Sequence, residues 1–94
     1  MVADAVLMNR VVKRDSTALV ELERRHYASL YAQVYAILVD AALAERVVRD
    51  AFAHLWLEAG RYCTRRSPSA LLRDIARELA RAERALHESP ENRR

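Results

Sequence analysis

One glycine, Gly60, and two prolines, Pro68 and Pro90, are all that this chain has for turning corners in 94 residues. Sandwiches and barrels need a tight turn every few residues, and those turns rely on Gly and Pro for backbone angles that other residues resist. A chain so poor in both cannot connect many strands, so long helices with few connections remain. Ala (17) and Leu (12) lead the apolar residues, and both are strong helix formers. The length suits one domain. With 52% hydrophobic residues and a net charge of only +3, the chain has enough apolar surface to fold. Its longest weakly polar run, residues 28–39, falls short of the roughly 20 residues of a membrane span. Asp4 precedes the first apolar stretch, with no basic start or cleavage site, which argues against a signal peptide. The single cysteine, Cys63, rules out an internal disulfide and suits a reducing compartment. The expectation is an all-α, cytoplasmic domain without a membrane partner.

The pattern predicts a compact bundle of three main helices plus a short N-terminal one over residues 3–87, then a polar, disordered tail over 88–94. The short helix, about Ala3 to Arg14, carries Val6, Leu7, Val11 and Val12 at helical spacing. Asp15, Ser16 and Thr17 offer N-cap oxygens for a second helix reaching about Leu38, with Leu19, Leu22, Leu30, Val34, Ile37 and Leu38 on one stripe. Tyr27, Tyr31 and Tyr35 run beside that stripe one turn apart and read as the edge of the core, hydroxyls toward water. Asp40 is a good N-cap for a third helix, whose wide apolar face runs from Leu43 through Val47, Val48, Ala51, Phe52, Leu55 and Trp56. Trp56 is expected to be the largest single core contributor. Gly60 sits where a C-terminal glycine belongs, and Ser67-Pro68 reads as N-cap and first helical position. The fourth helix is expected to bury Leu72, Ile75, Leu79, Ala82 and Leu86.

Charge is uneven along the chain. Residues 1–40 are neutral, residues 41–59 carry a net −1, and residues 60–94 carry +4 from nine Arg against five acids. Arg73, Arg77, Arg81 and Arg84 share one flank of the fourth helix, opposite its apolar stripe. An excess confined to one end points to a polyanionic partner there. Enzyme chemistry finds no footing. One glycine cannot build a phosphate-binding loop, and Glu45 and Asp50, five apart, face different ways and make a poor acid–base pair. His26, His54 and His87 lie on different helices without a second ligand one turn away, so no metal and no cofactor are expected.

Three stretches in order carry a family resemblance. Arg14-Asp15-Ser16-Thr17-Ala18-Leu19, on through Arg24-Arg25-His26-Tyr27 to Leu30-Tyr31, looks like the opening of region 2 in bacterial RNA polymerase sigma factors, most closely the extracytoplasmic-function group. Asp40-Ala41-Ala42-Leu43-Ala44-Glu45-Arg46-Val47-Val48-Arg49-Asp50-Ala51-Phe52, continuing through Leu55-Trp56 to Gly60-Arg61-Tyr62, resembles that group's core-binding helix. Ser67-Pro68-Ser69-Ala70-Leu71-Leu72-Arg73-Asp74-Ile75-Ala76-Arg77 resembles the start of the helix that reads the −10 promoter element. The resemblance spans about residues 5–86.

It implies a sigma region 2 fold and a role in transcription initiation. Glu45, Arg46, Arg49 and Asp50 would face core RNA polymerase at the β′ clamp helices. Arg61, Tyr62, Arg65, Arg66, Arg73, Arg77, Arg81 and Arg84 would meet the non-template strand of the −10 element. Arg46 and Arg49 stand where the group commonly has an acid and an amide, and Glu78 where it often has a neutral polar residue. Leu71 replaces a tryptophan often found early in the fourth helix. The group's −35-binding domain has no counterpart in these residues. Those departures keep a second reading open: a sigma-like interaction module that binds an anti-sigma factor, or the polymerase, without reading a promoter.

Overall fold

Asp15, Asp40 and Ser67 each start a helix in the computed structural model, which describes residues 1–62 and 66–88. The chain runs α1 (Asp4–Val12), α2 (Ser16–Leu38), α3 (Ala41–Glu58), a 3-10 turn (Ala59–Arg61) and α4 (Pro68–His87). Each cap is made by a side-chain oxygen: Asp15 accepts from the Thr17 N–H at 3.0 Å, Asp40 from the Leu43 N–H at 3.0 Å, and Ser67 from the Ala70 N–H at 3.1 Å. Each satisfies a backbone donor that a helix start otherwise leaves bare. Pro68 takes the first turn of α4, where a missing N–H costs nothing. The Thr17 hydroxyl and then the Arg10 guanidinium hold the Asp15 carboxyl down at about 2. No helix among the described residues is long and apolar enough to cross a membrane.

The three long helices pack pairwise, and α1 lies across α2 while also touching α4 and the 3-10 turn. α3 supplies Ala44, Val47, Val48, Ala51, Phe52 and Leu55 to the core, facing Leu22, Leu30 and Val34 of α2 and Leu72, Ile75 and Ala76 of α4. Several expectations about this core need correction. α1 buries Leu7, Met8 and Val11, and leaves Val6 and Val12 exposed, because so short a helix meets α2 along one narrow stripe. Leu19, Trp56 and Leu79 are partly buried against the core and not inside it. Trp56 is an edge residue because its ring faces Arg14, whose guanidinium lies 3.9 Å from the ring centroid and donates to the Trp56 carbonyl at 2.6 Å. On α4, Leu71 and Ala80 are buried, while Ala82 and Leu86 are exposed. Arg84, His87 and Glu88 at its end border an open groove at the α2–α3 corner, and Leu86 is turned away from that groove, 71% exposed.

The corners also differ from expectation. Gly60 lies in the 3-10 turn without a positive φ, so its glycine freedom is unused. The left-handed positions are Arg14 (φ 68) and Val39 (φ 50). Val39 donates its N–H to the Tyr35 carbonyl at 2.7 Å, closing α2 and turning the chain into Asp40. A β-branched residue is strained in that region, and Val39 is 71% exposed, so packing does not repay it. Tyr27, Tyr31 and Tyr35 stack along α2 at centroid spacings of 6.2 and 6.0 Å; the first two pack on the core and Tyr35 is exposed. The expected tail lies outside the described residues beyond Glu88.

Candidate nucleic-acid interface

α4 is a ridge between two hollows of different character. Its buried stripe points into the bundle, and the opposite side carries Arg73, Arg77, Arg81 and Arg84, all exposed. These four line a shallow groove of about 540 Å³ against α2, which contributes Ser29, Gln33, Ala36 and Ile37. No carboxylate lines that groove among the described residues. Arg77 lies 3.2 Å from Asp74 and Arg84 lies 3.0 Å from Glu88. Arg73 donates to the Ser69 hydroxyl at 2.7 Å, and neither Arg73 nor Arg81 has a carboxylate partner among the described residues.

On its other side α4 faces a cleft of about 580 Å³ whose walls include His54 at the end of α3, Tyr62 and Ile75. Arg66, Arg77 and Arg81 line it together with Asp74 and Glu78, so its charge is mixed. A smaller hollow of about 280 Å³ opens on α1, between Met8, Asn9, Pro68 and Leu71. Tyr62, Arg66 and Leu71 line both. The Tyr62 ring is tilted 53° to His54 at a centroid distance of 6.2 Å, and the residue packs partly on the core. Burial, and then Glu58, push its phenol up from the ordinary value, so it remains a neutral hydrogen-bond donor and a flat apolar face.

The cations near Tyr62 are partly spoken for. Arg66 binds the carboxylate of Asp74, and that hydrogen bond is the main reason Asp74 is held below the usual carboxylate range. Arg61 lies in the 3-10 turn, 3.3 Å from Glu58. Arg65 and Cys63 lie outside the described residues. The structure thus brings Tyr62, Arg66, Arg77 and Arg81 to one cleft and Arg73, Arg77, Arg81 and Arg84 to the other groove, while Arg61 stands at the edge beside Glu58.

Glu45, Arg46, Arg49 and Asp50 are all exposed on α3. Arg46 reaches across to Glu83 of α4 at 2.6 Å, and that hydrogen bond is the first cause of the lowered Glu83 carboxyl. Arg49 pairs with Glu45 one turn back. Both unexpected arginines therefore answer acids of the same chain. The histidines also have partners: His26 meets Asp4 at 2.7 Å, His54 meets Tyr62, and His87 meets Glu83 at 2.9 Å. No group of three or more His, Cys, Asp or Glu that could hold a metal occurs among the described residues.

Sequence reasoning missed Ser29, Gln33 and His54. Ser29 and Gln33 are one turn apart on α2, but the signal that they belong to a charged groove lies entirely in α4, some 40 residues on.

No protein-family model and no curated protein sequence matches the chain. A solved structure does: the NMR structure of the complex formed by an engineered region 2 of sigmaE in complex with GTAAAA. It agrees with a TM-score of 0.85 at 24% identity, covering 93% of this chain and 90% of that one. The fold of this chain is therefore that of a sigma region 2, as the three quoted stretches imply.

Proposed function

We propose that this domain captures a single DNA strand of the −10 promoter element and docks on core RNA polymerase during transcription initiation, as a cytoplasmic binding domain and not an enzyme. The observation that carries the reading is the cleft at Tyr62, an aromatic face flanked by Arg66, Arg77 and Arg81, on a fold whose solved neighbour is a complex with GTAAAA. Unpaired bases are held by stacking on aromatic rings while cations track the backbone, and this cleft offers both. Tyr62 lines two hollows, so a base stacked on it in one leaves the other for a neighbouring base. Arg61 and Arg65 belong to the same reading as additional backbone contacts. Glu45, Arg46, Arg49 and Asp50 form the polymerase-facing surface, in which Asp50 alone is without an ion pair among the described residues.

The test is fluorescence anisotropy with labelled GTAAAA and a scrambled strand at one fixed salt concentration. The reading expects preference for GTAAAA, and a loss of about 1–3 kcal/mol on Tyr62→Ala. Equal affinity for both strands, unmoved by Tyr62→Ala, overturns it. A specific observation favours a second reading. Arg46 and Arg49 are consumed by internal acids, which suits a module that binds a regulator such as an anti-sigma factor, or polymerase, without promoter recognition. Capture of core polymerase without any strand preference would support that alternative.

A further inference from the structure

We propose that α1 is an exchangeable arm whose partner is a second copy of this chain: in a two-fold dimer each α1 docks on the other protomer's α2 and completes the hollow beside its Tyr62. The proposal concerns how α1 is held, and it is independent of strand and polymerase binding.

The first argument is what keeps α1 in place. A helix of nine residues is too short to persist alone, so α1 depends on its docking. It buries Leu7, Met8 and Val11. At its start the Asp4 carboxylate accepts from Arg25 at 2.9 Å and meets His26 at 2.7 Å, and Glu21 holds Arg25 from one turn back at 2.9 Å. None of these contacts depends on which chain supplies α1, and a second copy offers them all. The link to α2 is Lys13, Arg14 and Asp15, with Arg14 at φ 68, a left-handed conformation that arginine resists. Opening the link releases that strain, and short strained hinges invite exchange.

The second argument is that the sequence suits the open form. No Gly or Pro occurs between Asp4 and Leu38, so an opened link can continue as one helix. Asp4, Met8, Val11, Asp15, Ala18, Leu22 and Arg25 recur at alternating steps of four and three, which puts the buried residues of α1 and α2 in phase on one face of that helix. The midpoint of the chain between Asp4 and Arg25 is the Arg14–Asp15 bond. Two such helices, antiparallel about a dyad at that bond, set Asp4 of each beside Arg25 of the other, in the pairing of the closed chain. The same dyad brings the two Asp15 carboxylates together, which opposes exchange. Asp15 also caps α2 through the Thr17 N–H and pairs with Arg10, so it is the residue that holds the chain closed. Met8, Asn9 and Val12 of α1 line the hollow that Tyr62, Pro68 and Leu71 line from the other side, so exchange builds each hollow from two chains.

The experiment refolds two whole-chain variants, Asp4→Arg and Arg25→Asp, separately and as an equal mixture at high concentration. Each alone sets like charges together where α1 meets α2, in the closed chain and in an exchanged homodimer alike. Only exchange between the two variants restores opposite charges, and it does so at both contacts. Native mass spectrometry should find the heterodimer as the main species of the mixture, with a melting temperature several degrees above that of either variant alone. Melting unchanged by mixing, with monomers or a statistical set of dimers, overturns the proposal; a dimer that leaves each α1 at home would give that result. A second pair of variants keeps Asp4 and Arg25. Asp15→Ala should tighten the dimer roughly tenfold by light scattering, since it removes a cap of the closed form and the repulsion at the dyad. Arg14→Gly, which suits the left-handed corner and breaks the open helix, should weaken it. Circular dichroism checks that each variant is helical. An Asp15→Ala chain that stays monomeric at every concentration overturns the proposal. No measurement here uses nucleic acid or polymerase, so failure leaves the Tyr62 reading intact.

Discussion

The arginines of α3 and those of α4 look alike in the sequence and differ in the folded chain. Arg46 and Arg49 lie on an exposed helix, yet each is bound to a carboxylate, Glu83 and Glu45 respectively. Arg73 and Arg81 are equally exposed and have no carboxylate partner among the described residues. A guanidinium already facing an acid gives little net potential to a distant polyanion, while an uncompensated one contributes its whole charge. The surface of α3 is thus closer to neutral than its arginines suggest, and the groove side of α4 is more positive than the chain's +3 suggests. The partner, more than the residue type, decides which charge is available.

Both surfaces are mounted on one core, and the largest expected effect concerns that shared support. Phe52→Ala removes a buried ring from the centre of α3 and should cost about 3–5 kcal/mol, read by denaturant unfolding. Trp56→Ala should cost clearly less, because the ring sits at the edge against Arg14. Equal losses would mean that α3 is turned differently about its axis.

The comparison itself is broken or upheld by two double substitutions. Arg73→Gln with Arg81→Gln should flatten the salt slope of strand binding by roughly one to one and a half units. Arg46→Gln with Arg49→Gln should leave the slope where it was. If the second pair flattens it as much as the first, internal pairing does not silence an arginine here.

The α2–α3 corner should respond more gently. Val39→Gly relieves a left-handed β-branched residue at an exposed position and should stabilise the domain by about 1 kcal/mol, seen as a higher melting temperature.

Acid should reveal where the remaining charges are spent. Asp15 is held at about 2 by Thr17 and Arg10, and Glu21 at about 2 by Arg24 and then Arg25, against ordinary values of 3.8 and 4.5. A depressed carboxyl stabilises the fold above its unfolded value and loses that contribution as pH falls through the folded one. Stability should be flat in this respect above pH 4.5 and decline toward pH 2, monitored by melting at stepped pH. The smallest effect is expected for Arg46→Asp, which sets a carboxylate against Glu83. It should lower the melting temperature slightly at pH 7 and no longer do so once Glu83 is protonated.

Much of this was legible beforehand. The caps at Asp15, Asp40 and Ser67 and the alternation of apolar residues on α3 are local patterns, governed by a few neighbouring backbone groups and by the 3.6-residue period. The arginine flank of α4 is equally local, since spacing alone puts four residues on one side of a helix. Where the reading failed, a distant part of the chain had intervened. Trp56 is an edge residue because Arg14 covers it from another corner. Leu86 is exposed because the last turn of α4 presents Arg84 and His87, and not Leu86, to the α2–α3 corner. Gly60, expected as the C-terminal glycine of α3, lies in a 3-10 turn without a positive φ, whereas α2 ends on Val39 in the left-handed region, a residue that no propensity would select.

By itself, then, the sequence determined that this chain is helical, where its helices begin, and which side of each is apolar, because those properties depend on residues within one or two turns. Only the tertiary structure decided which exposed charges are cancelled and which remain. Arg46 meets Glu83 across two helices, and Gln33 meets the Arg73 carbonyl across 40 positions of chain, and electrostatic and hydrogen-bond energies depend on separation in space, to which distance along the chain is no guide.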